Sequence, residues 1–440
     1  MSGQDHGRSG TTNDLTIAPV TSLRGETDVP GDKSISHRAV LFAALAAGTT
    51  RVRHFLHGGD CEATVHAVQA LGVRVERPAP DTVVLHSPGP QGWTEPDDVI
   101  QCANSGTTMR LLVGLLGAQP FTSVLTGSAQ LRRRPMARVT TPLRQMGAAV
   151  LGREDGRFAP LALRGGSLRG IDYALPVASA QVKSALVLAG LFADGTTVVR
   201  EPGPARDHTE RMLKALDAPV AVTGNVIRVE RLDAPLAPFD FTVPGDFSSA
   251  AFIIVAATLV PDGDVVVRNV GVNPTRTGLL DVLGAMGARV TLDDVHQMEG
   301  EEVADIHARS ASLRAVQVGG ETVVRMIDEF PILAVAATQA EGTTVVRDAR
   351  ELRVKETDRI ATVVEELGKM GAAIEERPDG FVVHGPTPLR GAHVDSHGDH
   401  RLAMALAVAG LIAQDETVVH NARCIADSYP GFVETLAMLC

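Results

Sequence analysis

Aromatic residues are scarce in this chain, since phenylalanine, tyrosine and tryptophan together make up only 3% of its 440 residues. Aromatic rings supply much of the buried area in many cores and the stacking surfaces that bind bases and sugars. We therefore expect aliphatic cores, and the sequence disfavours single-stranded nucleic acid and oligosaccharides as ligands. The net charge of −11 also excludes an overall positive field that would hold nucleic acid or an anionic membrane.

Cysteines and long apolar stretches are lacking as well. The four cysteines form no CxxC pair, which is typical of reduced thiols in a cytosolic protein. The longest apolar stretch, residues 250–260, ends at Pro261 and is shorter than the roughly 18 residues that a membrane span requires. Residues 1–14 contain no apolar core of a signal peptide. We therefore predict a cytoplasmic protein without disulfides.

The chain also lacks the short motifs of common nucleotide-binding and hydrolytic proteins. It contains no GxGxxG, no complete P-loop, no HExxH and no GxSxG. His54, His57 and His66 lie near Cys61 but do not have the spacing of a standard metal site. We therefore predict no metal-ligating residues.

Six copies of one pattern are present instead. In each copy a small polar cluster precedes an apolar stretch rich in small residues, and a turn and a β-branched strand follow. An amphipathic helix pattern and hairpin signals lie between successive copies. Because the apolar stretches are hydrophobic nearly all round, we predict central helices wrapped by sheets, in two closed groups of three units. The turns are 71, 76, 68, 79 and 73 residues apart, at Gly48, Gln119, Gly195, Gly263, Gly342 and Asp415.

The polar clusters stand at the predicted starts of the central helices, where free backbone N–H groups and the helix dipole favour anions. Ordinary capping by serine, asparagine and aspartate explains any single cluster, but lysine and arginine are not caps. If the helices run in parallel, the clusters converge on one anion site. The clusters contain Lys33, Ser34 and Arg38, then Asn104, Ser105 and Gly106, then Ser179, Gln181 and Lys183, and later Asp246, Asp328, Asp399, His400 and Arg401.

Two further segments are rich in charge. RVKETDRI, residues 353–360, places Lys355 and Arg359 four positions apart around Glu356, and we expect these three residues on one helical face. On its own, such a face is typical of a solvated salt-bridge surface. RRRPMAR, residues 132–138, is by itself typical of a basic surface loop.

Taken in order and spacing, these segments resemble the 3-phosphoshikimate 1-carboxyvinyltransferase family, whose members are also called EPSP synthases. The resemblance extends from about residue 17 to residue 429, and its most specific pieces are PGDKSISHRA, NSGTTMR, LTGSAQLRRRP, ASAQVKSALVLAG, RDHTERML, RVKETDRI and GDHRLAMA. It implies an α/β fold of two inside-out α/β barrel domains, each built from three repeated βαβαββ-like units with inner parallel helices. One domain would comprise residues 1–31 and 246–440, and the other residues 32–245.

The resemblance also implies a reaction. Members of the family transfer the enolpyruvyl group of phosphoenolpyruvate to the 5-hydroxyl of shikimate 3-phosphate and release phosphate, through a tetrahedral intermediate. The reaction belongs to the shikimate pathway, which leads to chorismate and the aromatic amino acids. No metal and no organic cofactor are implied. The expected partners are these two small anions, without nucleic acid or membrane; glyphosate is expected to bind in place of phosphoenolpyruvate, and the expected state is a monomer.

Residues that match the family motifs carry the implied roles. Asp328 resembles the base at the 5-hydroxyl, Glu356 the acid or base near the methylene carbon, and Lys33 a group that stabilises developing charge. The implied contacts of shikimate 3-phosphate are Lys33, Ser34, Arg38, Ser179, Ala180, Gln181, Arg206, Asp328 and Lys355. The implied contacts of phosphoenolpyruvate are Lys33, Gly106, Arg134, Gln181, Arg359 and Arg401.

Two positions depart from the family pattern. Ala180 stands where other members have a second serine, but its backbone N–H can still donate. Asp427, in the segment IADSYPGF, stands where some members have a lysine. A cation of the phosphoenolpyruvate pocket would be lost there unless Lys183 or another residue compensates.

Three alternative functions accompany this interpretation. An enolpyruvyl transferase acting on UDP-N-acetylglucosamine is disfavoured, because the KNxxxP start and the reactive cysteine loop of that family are missing and LRRRP occupies the loop. A non-catalytic anion-binding paralogue is favoured only by Asp427. The third alternative is a paralogue that acts on a modified shikimate. No residue in the sequence distinguishes it from an enzyme that acts on shikimate 3-phosphate.

Overall fold

Buried helices alternate with short strands along residues 13–440, the part of the chain that the computed structural model describes. Short 3-10 turns lie at Pro90–Gly92, Leu131–Arg133, Arg350–Val354 and Ala422–Asp427. The α-helices are, in chain order, α1 Lys33–Leu45, α2 Gly59–Ala70, α3 Gly106–Leu116, α4 Ala137–Met146, α5 Arg153–Gly156, α6 Ala180–Gly190, α7 His208–Ala215, α8 Phe247–Leu259, α9 Gly278–Met286, α10 Glu321–Arg325, α11 Phe330–Thr338, α12 Arg359–Lys369, α13 His400–Leu411 and α14 Phe432–Leu439.

The strands are short, and most follow directly on a helix or a turn. In chain order they are β1 Leu15–Ile17, β2 Ser22–Asp28, β3 Ala47–Arg53, β4 Arg74–Ala79, β5 Thr82–Pro88, β6 Ile100–Gln101, β7 Thr122–Thr126, β8 Ala149–Gly152, β9 Phe158–Arg164, β10 Asp172–Ala174, β11 Thr197–Arg200, β12 Val220–Thr223, β13 Val226–Val229, β14 Asp240–Thr242, β15 Asp262–Gly271, β16 Arg289–Met298, β17 Glu301–Arg309, β18 Gln317–Val318, β19 Gly342–Val346, β20 Ala373–Arg377, β21 Gly380–Gly385, β22 His393–Asp395 and β23 Thr417–His420.

Six helices, α1, α3, α6, α8, α11 and α13, lie inside and are buried on almost every side. Their small residues allow close approach: a Cβ on Gly114 of α3 would lie 2.3 Å from the carbonyl oxygen of Ala185 in α6. These helices are formed by the six apolar stretches of the sequence. The prediction of central helices is therefore confirmed.

The outer helices α2, α4, α7, α9, α12 and α14 bury one face only. In α12, Ile360, Val363 and Leu367 are buried while Glu365 and Lys369 are exposed. This spacing of apolar residues is that of an amphipathic helix on a core surface.

Within residues 13–440, six small sheets enclose the inner helices, and each four-stranded sheet has the same topology. Its first strand runs parallel to the second, and an antiparallel hairpin completes the sheet beyond it. The repetition confirms the six units expected from the sequence. The strand orders are β14-β3-β5-β4, β6-β7-β9-β8, β10-β11-β13-β12, β2-β15-β17-β16, β18-β19-β21-β20 and, with three strands, β22-β23-β1.

Two sheets take their first strand from a distant part of the chain. β14 pairs in parallel with β3, and β2 pairs in parallel with β15. One hydrophobic core collects residues between 17 and 29 and between 247 and 439, and a second collects residues between 35 and 243. Two separate cores support the predicted division near residues 31 and 245. Among the described residues, no helix is long and apolar enough to cross a membrane.

The sequence pattern placed Lys355, Glu356 and Arg359 on one face of a helix, and this prediction is wrong. A 3-10 turn ends at Val354, and α12 begins only at Arg359. The carboxylate of Asp358 accepts the backbone N–H of the third residue of α12 at 3.1 Å. This capping bond starts the helix after the charged turn.

Candidate active site

A cavity of about 560 Å³ lies where the inner helices begin. The first turns of all six inner helices, or the residues just before them, border this space. Unpaired backbone N–H groups and aligned helix dipoles give such a place a positive potential. One residue from each helix start is, in chain order, Lys33, Gly106, Gln181, Asp246, Asp328 and His400.

Most site residues predicted from the sequence are brought together here. Arg38 and Arg359 are the exceptions, since both lie buried behind the wall. Arg38 donates to the carbonyl of Ser34 at 2.8 Å, and Arg359 donates to Asp399 at 2.7 Å. The predicted residues that border the cavity are Lys33, Ser34, Gly106, Arg134, Ser179, Ala180, Gln181, Arg206, Asp328, Lys355, Glu356 and Arg401.

The carboxylate of Asp328 is surrounded by four cations. Its oxygens lie 2.6 Å from Arg206 Nη2, 3.3 Å from Arg359 Nη1, 3.6 Å from Arg401 Nη2 and 3.8 Å from Lys355 Nζ. Burial alone would raise the pKa of Asp328, but the four cations lower this pKa well below its usual value. Asp328 is therefore ionised at neutral pH.

Glu356 forms a second charged centre. Its carboxylate lies 2.7 Å from Arg359 Nη2 and 3.7 Å from Arg134 Nη1, while Gln130 donates to its backbone carbonyl at 2.7 Å. Burial would raise the pKa of Glu356, but Arg359 and Arg134 lower this pKa well below its usual value. Arg134 and Gln130 belong to the part of the chain whose core lies between residues 35 and 243, whereas Glu356 and Arg359 belong to the other part. This charged centre therefore joins the two walls of the cavity.

Lys33, the first residue of α1, pairs with a carboxylate that the sequence did not single out. Its Nζ lies 2.6 Å from Asp60, in the first turn of α2. Burial lowers the pKa of Lys33, but Asp60, together with Cys61 and Glu356, more than offsets burial, so this pKa is raised. The only sequence signal for Asp60 is an acidic residue at a helix start, which is common on surfaces.

Arg110 is another wall residue that the sequence analysis missed. Its guanidinium donates to the side-chain carbonyl of Gln181 and, at 3.2 Å, to the backbone carbonyl of Pro135. Gln181 in turn donates to Thr107 at 2.9 Å. These bonds fix the amide of Gln181 at the start of α6. Its place as the arginine of the segment NSGTTMR is the sequence signal that could have identified it.

Two more ionisable residues, His400 and Arg276, border the cavity. Burial and the neighbouring Lys33 and Arg401 lower the pKa of His400 to about 4, so its imidazole is neutral at pH 7. Arg276, just before α9, is fully buried and borders the cavity. No sequence signal marks Arg276, because it lies within an ordinary amphipathic helix pattern.

Comparisons with known proteins agree with this geometry. A model of the family "EPSP synthase (3-phosphoshikimate 1-carboxyvinyltransferase)" matches residues 17–436. A 3-phosphoshikimate 1-carboxyvinyltransferase of Desulforudis audaxviator is 54% identical over 425 residues, which cover 97% of this chain and 99% of the relative. The same-named protein of Desulforamulus reducens is 52% identical over 423 residues, 96% of this chain and 98% of the relative. The chain belongs to the EPSP synthase family.

Solved structures of the family and of its wider fold are similar. An EPSP synthase from Acinetobacter baumannii superposes with a TM-score of 0.87 at 43% identity, covering 97% of this chain and 98% of that chain. The enolpyruvyl transferase NikO from Streptomyces tendae has a TM-score of 0.77 at 19% identity and covers 97% of this chain and 98% of that chain. NikO therefore shares the fold, and the EPSP synthase shares the family as well.

Lys183 does not compensate for Asp427, the position at which some EPSP synthases have a lysine. Its Nζ is buried and pairs with Glu201 at 3.0 Å and Glu210 at 2.7 Å, away from the cavity. The idea that Lys183 supplies the missing cation is therefore wrong. Its position inside α6, one turn beyond the helix start, explains why it points into the protein.

One group of possible metal ligands occurs among residues 13–440, and it lies outside the cavity. It comprises Glu365, Glu366 and His397, on α12 and next to β22. Lys369 Nζ already pairs with Glu366 at 2.8 Å and with Glu365 at 3.2 Å. Because the ammonium group of Lys369 compensates these carboxylates, we interpret the group as an ion-pair cluster around the buried Glu366.

Proposed function

We propose that this chain transfers the enolpyruvyl group of phosphoenolpyruvate to the 5-hydroxyl of shikimate 3-phosphate and releases inorganic phosphate. The observation that carries the proposal is the cavity at six helix starts, where cations lie beside two ionised carboxylates in a chain of this family. Both substrates carry several negative charges, which guanidinium and ammonium groups bind. The chain as a whole is acidic and would repel these substrates, so their attraction would depend on the cations of the cavity.

The cavity wall would divide into two overlapping ligand sites. Arg38 and Arg359 are paired behind the wall, so they would reach a ligand only after a side-chain rearrangement. The proposed shikimate 3-phosphate contacts are Lys33, Ser34, Arg38, Ser179, Ala180, Gln181, Arg206, Asp328 and Lys355. The proposed phosphoenolpyruvate contacts are Lys33, Gly106, Arg134, Gln181, Arg359 and Arg401.

Asp328 would be the base at the 5-hydroxyl. While it is paired with four cations it is a weak base, because its pKa is held well below the usual value. The phosphate group of shikimate 3-phosphate would draw Arg206 and Lys355 towards itself. The pKa of Asp328 would then rise, and its carboxylate could accept the hydroxyl proton. Its basicity would therefore depend on substrate binding.

Glu356 would protonate the methylene carbon of phosphoenolpyruvate. Because Glu356 is ionised beside Arg359 and Arg134, it must first accept a proton, and the substrate carboxylate would favour this by competing for Arg134. Protonation makes C2 electrophilic, the 5-oxygen adds to it, and a tetrahedral intermediate forms. Loss of a methyl proton to Glu356 and cleavage of the bond between C2 and the phosphate oxygen complete the transfer. Lys33 would stabilise the charge that develops on this oxygen.

The assay is phosphate release from purified protein mixed with both substrates, with each substrate alone as the control. Release that needs both, together with a product of the mass of the enolpyruvyl adduct, is the expected result. Release with UDP-N-acetylglucosamine or a modified shikimate, but not with shikimate 3-phosphate, would favour another enolpyruvyl transferase. Ligand binding without release from any acceptor would favour a non-catalytic anion-binding protein.

We also propose the division of the chain into residues 1–31 with 246–440, and residues 32–245. The two hydrophobic cores and the strand exchange of β2 and β14 support it. The monomeric state and the cytoplasmic location expected from the sequence stay predictions, which size-exclusion chromatography and cell fractionation would test.

A further inference from the structure

Arg276 lies at the junction where the chain crosses twice between its two cores. Two short segments share the sequence Pro-Gly-Asp and run side by side there, residues 30–32 and residues 244–246. The backbone N–H of each aspartate donates to the proline carbonyl of the other segment, at 2.8 Å in both cases. A Cβ on Gly31 would lie 1.8 Å from the carbonyl oxygen of His54, so only glycine fits in this crossing.

The guanidinium of Arg276 bridges the two aspartates of this junction. One terminal nitrogen donates to Asp32 Oδ2, and the other donates to Asp246 Oδ1 at 2.9 Å. Both aspartates also cap inner helices. Asp32 accepts the N–H of Ile35 in α1 at 2.9 Å, and Asp246 accepts the N–H of Ser248 in α8 at 2.7 Å. One arginine therefore holds the starts of two inner helices.

On one side, this network reaches Lys33. The second carboxylate oxygen of Asp246 accepts the backbone N–H of Lys33 at 3.0 Å. The carboxylate that Arg276 orients thus fixes the backbone from which the Lys33 side chain extends. Asp246 and Lys33 are 213 positions apart in the sequence. Their relative position depends on this junction.

On the other side, the network reaches Asp328. Arg276 Nη2 donates to the hydroxyl of Ser248 at 2.7 Å, and that hydroxyl donates to the carboxylate of Glu329. Glu329 is fully buried and directly follows Asp328 at the start of α11. A change at Arg276 would therefore alter the positions of both Lys33 and Asp328, two residues of the proposed reaction.

We propose that Arg276 is a positioning residue, which aligns the starts of α1, α8 and α11 and thereby places Lys33 and Asp328 against the substrates. The inference rests on the proposed function. Arginine suits this task because its rigid fork of donors reaches several acceptors at once, whereas the lysine ammonium is a single point charge on a flexible stem. Buried ion pairs contribute little net stability and can be replaced by apolar groups. We therefore assign the ion pairs of Arg276 with Asp32 and Asp246 to alignment of the helix starts rather than to stability.

The test separates positioning from stability with a triple variant. Arg276→Met alone leaves two buried carboxylates without the cation that pairs with them, which destabilises the fold. Asp32→Asn, Arg276→Met and Asp246→Asn together remove all three charges, while asparagine still caps both helices. We expect this variant to melt close to the wild-type temperature and to have a kcat about a hundredfold lower, with KM values little changed.

Arg276→Lys is the second variant, because it keeps the buried positive charge. We expect it to fold and to lose about tenfold in kcat, since lysine cannot hold the two aspartates and Ser248 together. Arg268→Gln is the matched control. Arg268 is an exposed arginine that also pairs with two carboxylates, Glu26 and Asp28, and its replacement should leave kcat unchanged.

Wild-type kcat in a folded triple variant, or in Arg276→Lys, would overturn the inference. A variant whose only change is a higher KM for one substrate would identify Arg276 as a ligand contact, and this result would overturn the positioning role too. Wild-type protein that binds both substrates but releases no phosphate would overturn the proposed function and, with it, this inference. An active wild-type enzyme with unaffected variants overturns the inference alone.

Discussion

At the scale of single residues, Gly106 is the first helical position of α3, and two guanidiniums approach it. A Cβ there would lie 2.7 Å from Arg110 Nη1 and 3.1 Å from Arg134 Nη1. Both atoms end flexible side chains, so Gly106→Ala should fold but displace the proposed phosphoenolpyruvate contacts. We expect the KM for phosphoenolpyruvate to rise roughly tenfold, equivalent to about 1.4 kcal/mol, and the inhibition constant of glyphosate to rise more. Steady-state phosphate release measures both constants.

Gly284→Ala is the matched control for this prediction. A Cβ on Gly284, an exposed residue of α9, would meet no atom within 4 Å. We expect unchanged kinetics and slightly higher stability, because alanine is the better helix former. An unchanged inhibition constant of glyphosate in Gly106→Ala would show that the pocket assignment is wrong.

Asp328→Asn and Glu356→Gln keep side-chain shape and remove an ionisable group. We expect each to lower kcat by roughly a hundredfold or more, as is typical for a lost general acid or base. The KM values should stay equal or fall, because Arg206 and Arg134 lose the carboxylates that compete with anionic substrates. Asp172→Asn, at an exposed ion pair, is the control. Near-normal kcat in Asp328→Asn would make Asp328 a binding residue and refute its role as the base.

Residues whose role depends on local position could be predicted from the sequence, and those defined by distant partners could not. Lys33 and Gly106 stand at helix starts, which the pattern of small apolar stretches reveals. Asp60 and Arg276 acquire their roles only through contacts made by folding. Arg276 and its partner Asp32, for example, are 244 positions apart. No periodicity or motif in one sequence reports such a pair.

At the scale of helices and strands, a buried charge triad ties α6 to α7 and to the end of β11. Lys183 of α6 pairs with Glu201 at 3.0 Å and with Glu210 of α7 at 2.7 Å. Burial raises the pKa of Glu201 to about 7; Lys183 opposes this shift, and the second carboxylate adds to it. Burial, reinforced by the second carboxylate, therefore makes Glu201 hold a proton more readily than an ordinary glutamate.

This triad predicts a pH-dependent stability with a definite sign. Between the ordinary glutamate pKa of about 4.5 and the folded value of about 7, the folded state binds more protons than the unfolded state. The free energy of unfolding should therefore fall as the pH rises from 5 to 8, by about 1–2 kcal/mol after allowance for solvent screening. Glu201→Gln should lack this fall. Urea unfolding of both proteins across this pH range measures the difference.

Glu230→Gln is the control for the triad, because Glu230 is exposed and accepts only a hydrogen bond from Thr196. It should follow the wild-type pH trend. If the wild-type protein and Glu201→Gln change in parallel from pH 5 to pH 8, Glu201 does not titrate in the folded state as we expect.

The elements themselves were largely predictable, with one instructive failure. Stretches that are apolar on all sides had to be buried helices, since no other arrangement covers them. The charged segment around Lys355 and Glu356 has helical spacing as well, yet it forms a turn before α12. Asp358 caps the helix at 3.1 Å, and the ion pairs of Lys355 with Asp328 and of Glu356 with Arg134 hold the turn, so tertiary contacts decide its structure.

At the scale of the whole molecule, pairs of opposite charge join the two walls of the cavity. Arg206 reaches Asp328 across it at 2.6 Å, and Arg138 reaches Glu351 at 3.1 Å. Each pair links a residue between 32 and 245 to one beyond 246. Anionic substrates would compete for these arginines, so binding and the relative position of the two walls should be coupled.

Asp427 shows how the last unit of the chain touches the first. Its backbone carbonyl oxygen would lie 2.3 Å from a Cβ on Gly58, and its Oδ1 would lie 3.3 Å from a Cβ on Gly59. The residue that follows them is Asp60, the partner of Lys33. Burial raises the pKa of Asp427, Lys33 opposes this shift and Asp60 adds to it. Asp427 therefore lies within the electrostatic surroundings of the proposed phosphoenolpyruvate site.

Asp427→Lys should lower the KM for phosphoenolpyruvate about fivefold and tighten glyphosate binding, because a carboxylate near an anion site opposes both ligands. Neighbouring groups partly desolvate the carboxylate of Asp427, but the side chain is exposed to solvent, which limits the Coulomb term to about 1 kcal/mol. Asp427→Asn removes the charge without reversing it, so its KM should fall in the same direction by a smaller factor. Loss of turnover in Asp427→Lys alone would mean that the new ammonium captures Asp60 and releases Lys33, which would give the native aspartate a role of its own. Unchanged phosphoenolpyruvate kinetics in both variants would show that the side chain faces solvent and that this departure from the family has no effect on function.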